Sequence, residues 1–343
     1  GAGPDGPAGV GPPAAGGPIV YLPADFAAFA PRNARDLLER VPGFSIQDGD
    51  SARGLGQASG NVLINGERPS AKSASLSDQL ARVPLSNVLR IEIVDGASLQ
   101  IPGLSGRVAN VIIEGGALSG QFSWRPQAST GPAKLRWSSG EVSVSGTTGP
   151  VGFTIALEND PFYGGSEGPN RVVDAEGRAQ LRTSTQYGVF DAPLLSGAFA
   201  IDLPGSALAN LNLSIGFGVF RAREREFALD EAQPFLDERL RTTNNTWDYE
   251  IGGDVDFAFG PGRLKLIGLQ RADHDDFGTQ SIIAFAGRDP FGTRFERIGE
   301  EGETIGRGEY RWTMLGGDWQ ASGEAAFNRL DNVARLVRLG SDG

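Results

Sequence analysis

From Leu211 to Val219 the chain alternates strictly. Leu211, Leu213, Ile215, Phe217 and Val219 fall on one face of an extended segment, and Asn212, Ser214, Gly216 and Gly218 on the other. The same two-residue period recurs at Phe153, Ile155 and Leu157, at Phe199, Ile201 and Leu203, and at Tyr249, Ile251, Val255, Phe257 and Phe259. Strands with one apolar and one polar face are expected at each place. Turn signals punctuate them at Thr147–Pro150, Pro204–Ser206, Gly260–Gly262 and Gly316-Gly317. Between successive turns lie two strands and one long polar stretch, such as residues 160–180 and 221–245, each expected to be a loop.

The first third reads differently. Ala34, Leu37, Leu38 and Val41 share a helical face, with Pro31 suited to a first turn and Pro42-Gly43 to a stop. Phe44 and Ile46 then alternate as the start of a strand. A second helix is expected after Ser75, with Asp78 completing a capping-box pattern. Leu76, Leu80 and Val83 form its apolar stripe, and Pro84 stops it. Strands are expected at Val62–Ile64, Arg90–Val94 and Val108–Ile113, and Asn65-Gly66 is a strong turn signal. Two helix-to-strand units thus fold onto one small mixed sheet within residues 18–115. Residues 1–17 are Gly, Pro and Ala with almost nothing to bury, and are expected to be a flexible tether. Residues 116–343 carry about nine alternating strands.

Composition narrows the function. Fifty glycines favour turn-rich β structure, and the absence of cysteine removes disulfides, thiol nucleophiles and Cys-based metal sites. A net charge of −11 argues against a nucleic-acid partner. There is a single histidine, His274, and no paired nucleophile and base, so no catalytic residue is assigned and no enzyme or cofactor is expected. Asp273-His274-Asp275-Asp276 has some metal-ligand character, but one consecutive run in an external loop is read as a solvated acidic loop, and no metal site is assigned. No segment of about 18 apolar residues offers a membrane helix. Alternating strands with short turns at one end and long loops at the other are instead the pattern of an outer-membrane barrel.

Five motifs in order carry a resemblance: VPGF from Val41, ARGLG from Ala52, NVLINGERPS from Asn61, RIEIVDGA from Arg90 and GRVANVII from Gly106. Over residues 19–115 the chain resembles the plug domain of TonB-dependent outer-membrane receptors. It departs from the family pattern in having Asn65-Gly66 for an Asp-Gly turn, and ASLQIPGLSGRVAN where a Tyr-Gly usually precedes the last plug strand. The resemblance implies an α/β plug followed by antiparallel transmembrane barrel strands, with plug and tether facing the periplasm. It implies a barrel of about 22 strands, so this chain is expected to be the plug with the first part of an incomplete barrel, any signal peptide having been removed.

The implied function is energy-coupled import of a scarce solute, such as an iron chelate or a carbohydrate. TonB would be the direct partner, ExbB and ExbD indirect ones, and outer-membrane lipid the surroundings. The alternatives are a sensor or adhesin without transport, and a soluble secreted β-rich binding protein. Candidate ligand-facing plug tips are Asp48, Asp50, Arg68, Lys72, Ser73 and Gln100, though an ordinary solvated turn accounts for any one of them taken singly. Ile19, Val20 and Tyr21 are either the TonB-coupling segment, by strand addition, or an ordinary first plug strand. Arg53 and Arg90 are candidates for a plug–barrel latch, with surface arginine as the alternative for each.

Overall fold

The computed structural model describes residues 18–47, 60–66, 76–99, 104, 106–114, 118–128, 135–228 and 235–340. A small sheet and a large sheet organise them, and no helix is long and apolar enough to cross a membrane.

The small sheet comprises β1 (Ile19–Tyr21), β2 (Val62–Ile64), β3 (Val88–Asp95) and β4 (Arg107–Ile113), in the order β1-β3-β4-β2. Its helices are α1 (Ala34–Leu38) and α2 (Leu76–Ala81). Asn33 caps α1, its Oδ1 accepting from the Asp36 amide at 2.9 Å. The second Arg-Val-Pro stop lies beside the start of α1, with Asn33 bridged to Pro84. The Ala34 amide donates to the Val83 carbonyl and the Leu85 amide to the Arg32 carbonyl, so the second stop supplies a backbone partner that the start of α1 lacks. Leu37, Leu38 and Leu80 then bury fully against Ile91 and Val111, the inward positions of β3 and β4.

Two expectations in this unit are corrected. Phe44 and Ile46 do not begin a strand. Their stretch is tied down by Asn61, which accepts from the Gln47 amide at 2.8 Å and donates to the Ser45 carbonyl at 2.8 Å. A side chain thus replaces a ladder partner. Asn65-Gly66 does turn, with φ of 50° and 83°, but it closes no hairpin, because β2 pairs in parallel with β4. The turn is fixed sideways: the Gly66 amide donates to Asn110 Oδ1 and the Ile113 amide to Asn65 Oδ1.

The large sheet is antiparallel and has eleven strands: β5 (Ser119–Trp124), β6 (Gly140–Thr148), β7 (Val151–Asn159), β8 (Phe162–Val173), β9 (Ala179–Asp191), β10 (Leu194–Leu203), β11 (Ala207–Ala228), β12 (Phe235–Phe259), β13 (Gly262–Phe285), β14 (Phe291–Met314) and β15 (Gly317–Leu339). Eleven replaces the expected nine for a simple reason. Pro161 separates β7 from β8, and Pro193 separates β9 from β10, so two long passages are each cut in two. β11 spans both pieces, pairing with β10 through Gly216 and with β9 from Val219 onward.

The tight turns lie at the expected places, with positive φ at Gly149, Gly205, Gly260 and Gly316. The polar stretches do not form long loops. Residues 221–228 continue β11, residues 235–245 open β12, and most of 160–180 lies in the β8–β9 hairpin. Asp273 to Asp276 likewise sit inside β13, where His274 stacks on Trp247 with ring centroids 5.6 Å apart. Their hydrogen-bond ladder continues beyond the apolar stripe, so loss of apolar alternation marks the end of the stripe and not of the strand.

One face of the sheet carries Leu213, Ile215, Phe217, Trp247, Ile251 and Leu266, all exposed. The opposite face carries Asn210, Asp254, Lys265, Glu250 and Glu303, linked by hydrogen bonds and ion pairs such as Lys265–Asp254 at 3.1 Å. At the tight-turn end of the apolar face Phe259, Tyr310, Trp312 and Trp319 form a row of ring contacts, and at its far end Trp247 stacks on Tyr249. Two aromatic rows bounding an apolar band fit a sheet with lipid on that side. Among the described residues β5 and β15 end the main pairing order, β8 is a further edge paired only with β9, and the sheet does not close on itself.

Candidate functional site: the seat of the plug on the sheet

The small domain meets the polar face of the large sheet at the C-terminal end of α2. Arg82 follows that helix directly, and its side chain is 6% exposed. The backbone amide of Arg82 still bonds to Asp78 and Gln79 carbonyls, so helical geometry sets the direction of the side chain. Its guanidinium reaches three strands. Nε lies 3.2 Å from Glu141 Oε1 on β6, Nη2 lies 2.9 Å from Glu158 Oε2 on β7, and Nη1 donates to Ser196 Oγ on β10 at 3.1 Å. Gln121 on β5 adds a fourth contact, donating to the Ala81 carbonyl at 2.8 Å.

Register explains why an arginine is needed. Glu141 and Glu158 are cross-strand partners on the polar face. Directly opposed like charges destabilise a pair of strands. Here the planar fork of one arginine satisfies both carboxylates, which a point-charge ammonium would match less well. The surrounding positions on these strands are small: Ser143, Ser145 and Ala156 are buried and leave room for α2. Beside the latch lies a cleft of about 620 Å³, lined by Ile64, Asn65 and Pro84 from the small domain and by Phe153, Ala198 and Glu250 from the sheet.

Arg90, the expected latch residue on β3, makes a different contact. It lies 2.7 Å from Glu92 on its own strand, and Glu92 in turn accepts from Asn110 Nδ2 at 3.2 Å. Arg53 lies outside the described residues, as do Asp48, Asp50, Arg68, Lys72, Ser73 and Gln100. Ile19, Val20 and Tyr21 form β1 at the edge of the small sheet, opposite Ile93, Glu92 and Ile91. Tyr21 is buried and packs on Phe26 at 5.6 Å, while Val20 is exposed.

Arg82 was hidden because Arg-Val-Pro reads as a helix stop. A signal did exist on the other side of the contact. Glu141 and Glu158 are the charged members of polar faces otherwise made of Ser, Thr, Ala and Gly, and both fall near the same ends of neighbouring strands.

Outside the large sheet, Asp36 has a shifted acidity. Partial burial raises its pKa, but hydrogen bonds from Arg32 Nε at 2.9 Å and from the Arg32 amide outweigh it and leave it lowered.

Residues 19–123 match the family model described as TonB-dependent receptor plug domain. No curated protein matches. Among solved structures, the ferric yersiniabactin uptake receptor FyuA from Yersinia pestis is 11% identical with a TM-score of 0.25, covering 93% of this chain and 61% of that one. The ferric citrate transporter FecA in its unliganded form is 14% identical with a TM-score of 0.24, covering 95% and 60%. The siderophore receptor PiuA from Acinetobacter baumannii is 9% identical with a TM-score of 0.25, covering 93% and 62%. The chain therefore spans about six tenths of the length of these structures.

Proposed function

With a TonB-dependent receptor plug domain at residues 19–123 as the premise, we propose that the chain belongs to an energy-coupled outer-membrane receptor that imports a scarce solute. The observation that carries this reading is the seat of the plug. A small α/β domain is locked by one buried arginine onto the polar face of an antiparallel sheet whose other face is apolar and exposed. A soluble binding protein would need a second layer over that apolar face. The reading places lipid there instead, and places the polar face inside a lumen closed by further strands.

In this mechanism the protein makes and breaks no covalent bond. A solute binds from outside; the segment before β1 is pulled from the periplasm by TonB, energised through ExbB and ExbD. The plug shifts relative to the sheet, and the solute passes through the space it leaves. The work must come from a differential: the pulled state has to lose contacts that the resting state holds. Arg82 with Glu141 and Glu158 is such a set of contacts. Iron chelates and carbohydrates are the solute classes to be tested first.

The experiment uses the full-length receptor in native outer membranes. Solute accumulation is compared with and without collapse of the proton gradient, under iron limitation and during carbohydrate feeding. Uptake that disappears with the gradient supports the proposal, and the inducing condition identifies the solute class. Surface binding with no gradient-dependent uptake overturns transport in favour of sensing or adhesion.

A further inference from the structure

The stretch RAREREF at residues 221–227 sorts its charges by face. Even-numbered Glu224 and Glu226 lie on the polar side with Gln186 and Arg182, their bonded neighbours on β9. Odd-numbered Arg221, Arg223 and Arg225 continue the row of Leu213, Ile215 and Phe217, and all three are exposed. β12 doubles the row. Arg223 is paired in register with Arg241, and Arg225 with Arg239, both also exposed. Five guanidinium groups thus stand on the apolar side of the sheet, just beyond the aromatic row at Trp247 and on the side away from the tight turns.

This arrangement is costly as it stands. Like charges directly opposite each other destabilise adjacent strands. Asp237 offsets part of the cost by bonding Arg225 and Arg239, with Arg225 Nε at 2.9 Å and Arg239 Nε at 2.8 Å. Arg221, Arg223 and Arg241 have no ion pair among the described residues. In a chain with a net charge of −11, such a basic patch does not follow from composition. Its height matters too. Arg221 lies four residues beyond Phe217, roughly 13 Å along the strand, so its side chain stands at headgroup depth when the apolar band is in hydrocarbon.

We propose that this patch binds the phosphate groups of an anionic glycolipid in the outer leaflet. Guanidinium forks on neighbouring strands match phosphate oxygens bidentately, and an array of them suits a headgroup with more than one phosphate. A diffusible solute destined for the lumen would meet Glu224 and Glu226 on the opposite face. The inference rests on the reading that the apolar face contacts lipid.

The test uses the full-length receptor in mild detergent, titrated with lipid A bearing two phosphates and with its dephosphorylated form, by tryptophan fluorescence at low and high salt. The phosphorylated lipid is expected to bind, more weakly as salt rises. Replacing three arginines (Arg221→Gln, Arg223→Gln and Arg241→Gln together) should weaken binding roughly 100-fold, since each is worth about a factor of five near an anionic surface. The corresponding Lys triple variant, which keeps charge and controls for folding, should retain most of the affinity. Equal binding of the dephosphorylated lipid, an unaffected Gln triple variant, or full competition by millimolar inorganic phosphate would each overturn the inference. A probe attached at Leu213→Cys separates this from the parent reading. Quenching by a lipid-borne nitroxide with no Arg dependence defeats the lipid site alone; no quenching defeats the membrane reading itself.

Discussion

Replacing Arg82 with methionine removes the cation between Glu141 and Glu158 while keeping most of the side-chain volume. The two carboxylates then face each other across β6 and β7 with nothing between them. Two unit charges about 5 Å apart at an effective dielectric of about 20 repel by roughly 3 kcal/mol. Because the glutamates are 26% and 29% exposed, water relieves part of this, and ordinary loss of one partner of a buried pair gives a similar figure. A loss of roughly 2–4 kcal/mol is therefore expected for the seated plug, which raises the unseated population about 30- to 1,000-fold. The assay is single-channel recording of the full-length receptor in planar bilayers, where an unseated plug appears as open-channel events. Arg82→Met should raise their frequency. Adding Glu141→Gln and Glu158→Gln to the same protein should restore most of the closed time, because a neutral contact has no repulsion to relieve. If Arg82→Met does not differ from the parent, Arg82 is not what seats the plug; if the single and triple variants open alike and more often than the parent, repulsion between the glutamates is not what unseats it.

Three further outcomes follow from particular contacts. Leu213→Arg places a cation on the apolar face within the band and should cost about 2–4 kcal/mol in the bilayer, read as a lower urea midpoint in vesicles. Asn110→Ala strips the Gly66 amide of its acceptor and should cost about 1–2 kcal/mol, seen as faster amide exchange at Gly66 in the full-length receptor. For Asp36 the pKa is lowered in the fold, so its contribution is present above the ordinary carboxylate value of about 3.9 and is lost as pH falls through the lower folded value. Asp36→Asn should accordingly lower plug stability at neutral pH and flatten its decline below about pH 4, so that parent and variant converge in acid.

Much of the architecture was legible because two periods differ. The 3.6-residue spacing of Leu37, Leu38 and Val41 cannot be mistaken for the two-residue spacing of Leu211 to Val219, and adjacent Gly and Pro marked the turns at 149, 205 and 260 as Gly-Gly did at 316. Strand ends were not legible, because an apolar stripe reports where lipid or core lies, whereas the ladder needs no apolar side chain to continue. The RAREREF stretch shows this: it alternates as regularly as the segment before it, but in sign of charge instead of polarity. Asn65-Gly66 misled for another reason. The dipeptide specifies a local conformation, and the partner of the strand before it was decided by Asn110 and Val111 more than forty residues away. The latch was least legible, since its acidic half is distributed over two strands and becomes a single site through their register.

The first strand of the small domain bears on how the molecule responds to load. β1 is three residues long and sits at the sheet's edge, so a tension applied ahead of Ile19 meets its ladder before any other. That ladder can peel without disturbing the longer β3–β4 pairing behind it. Tyr21 is a different kind of fastening, a ring buried against Phe26 at the end of the peel. The domain is therefore built with a weak seam followed by a knot. Force is absorbed at small extension by the seam, and past Tyr21 further extension draws directly on the core.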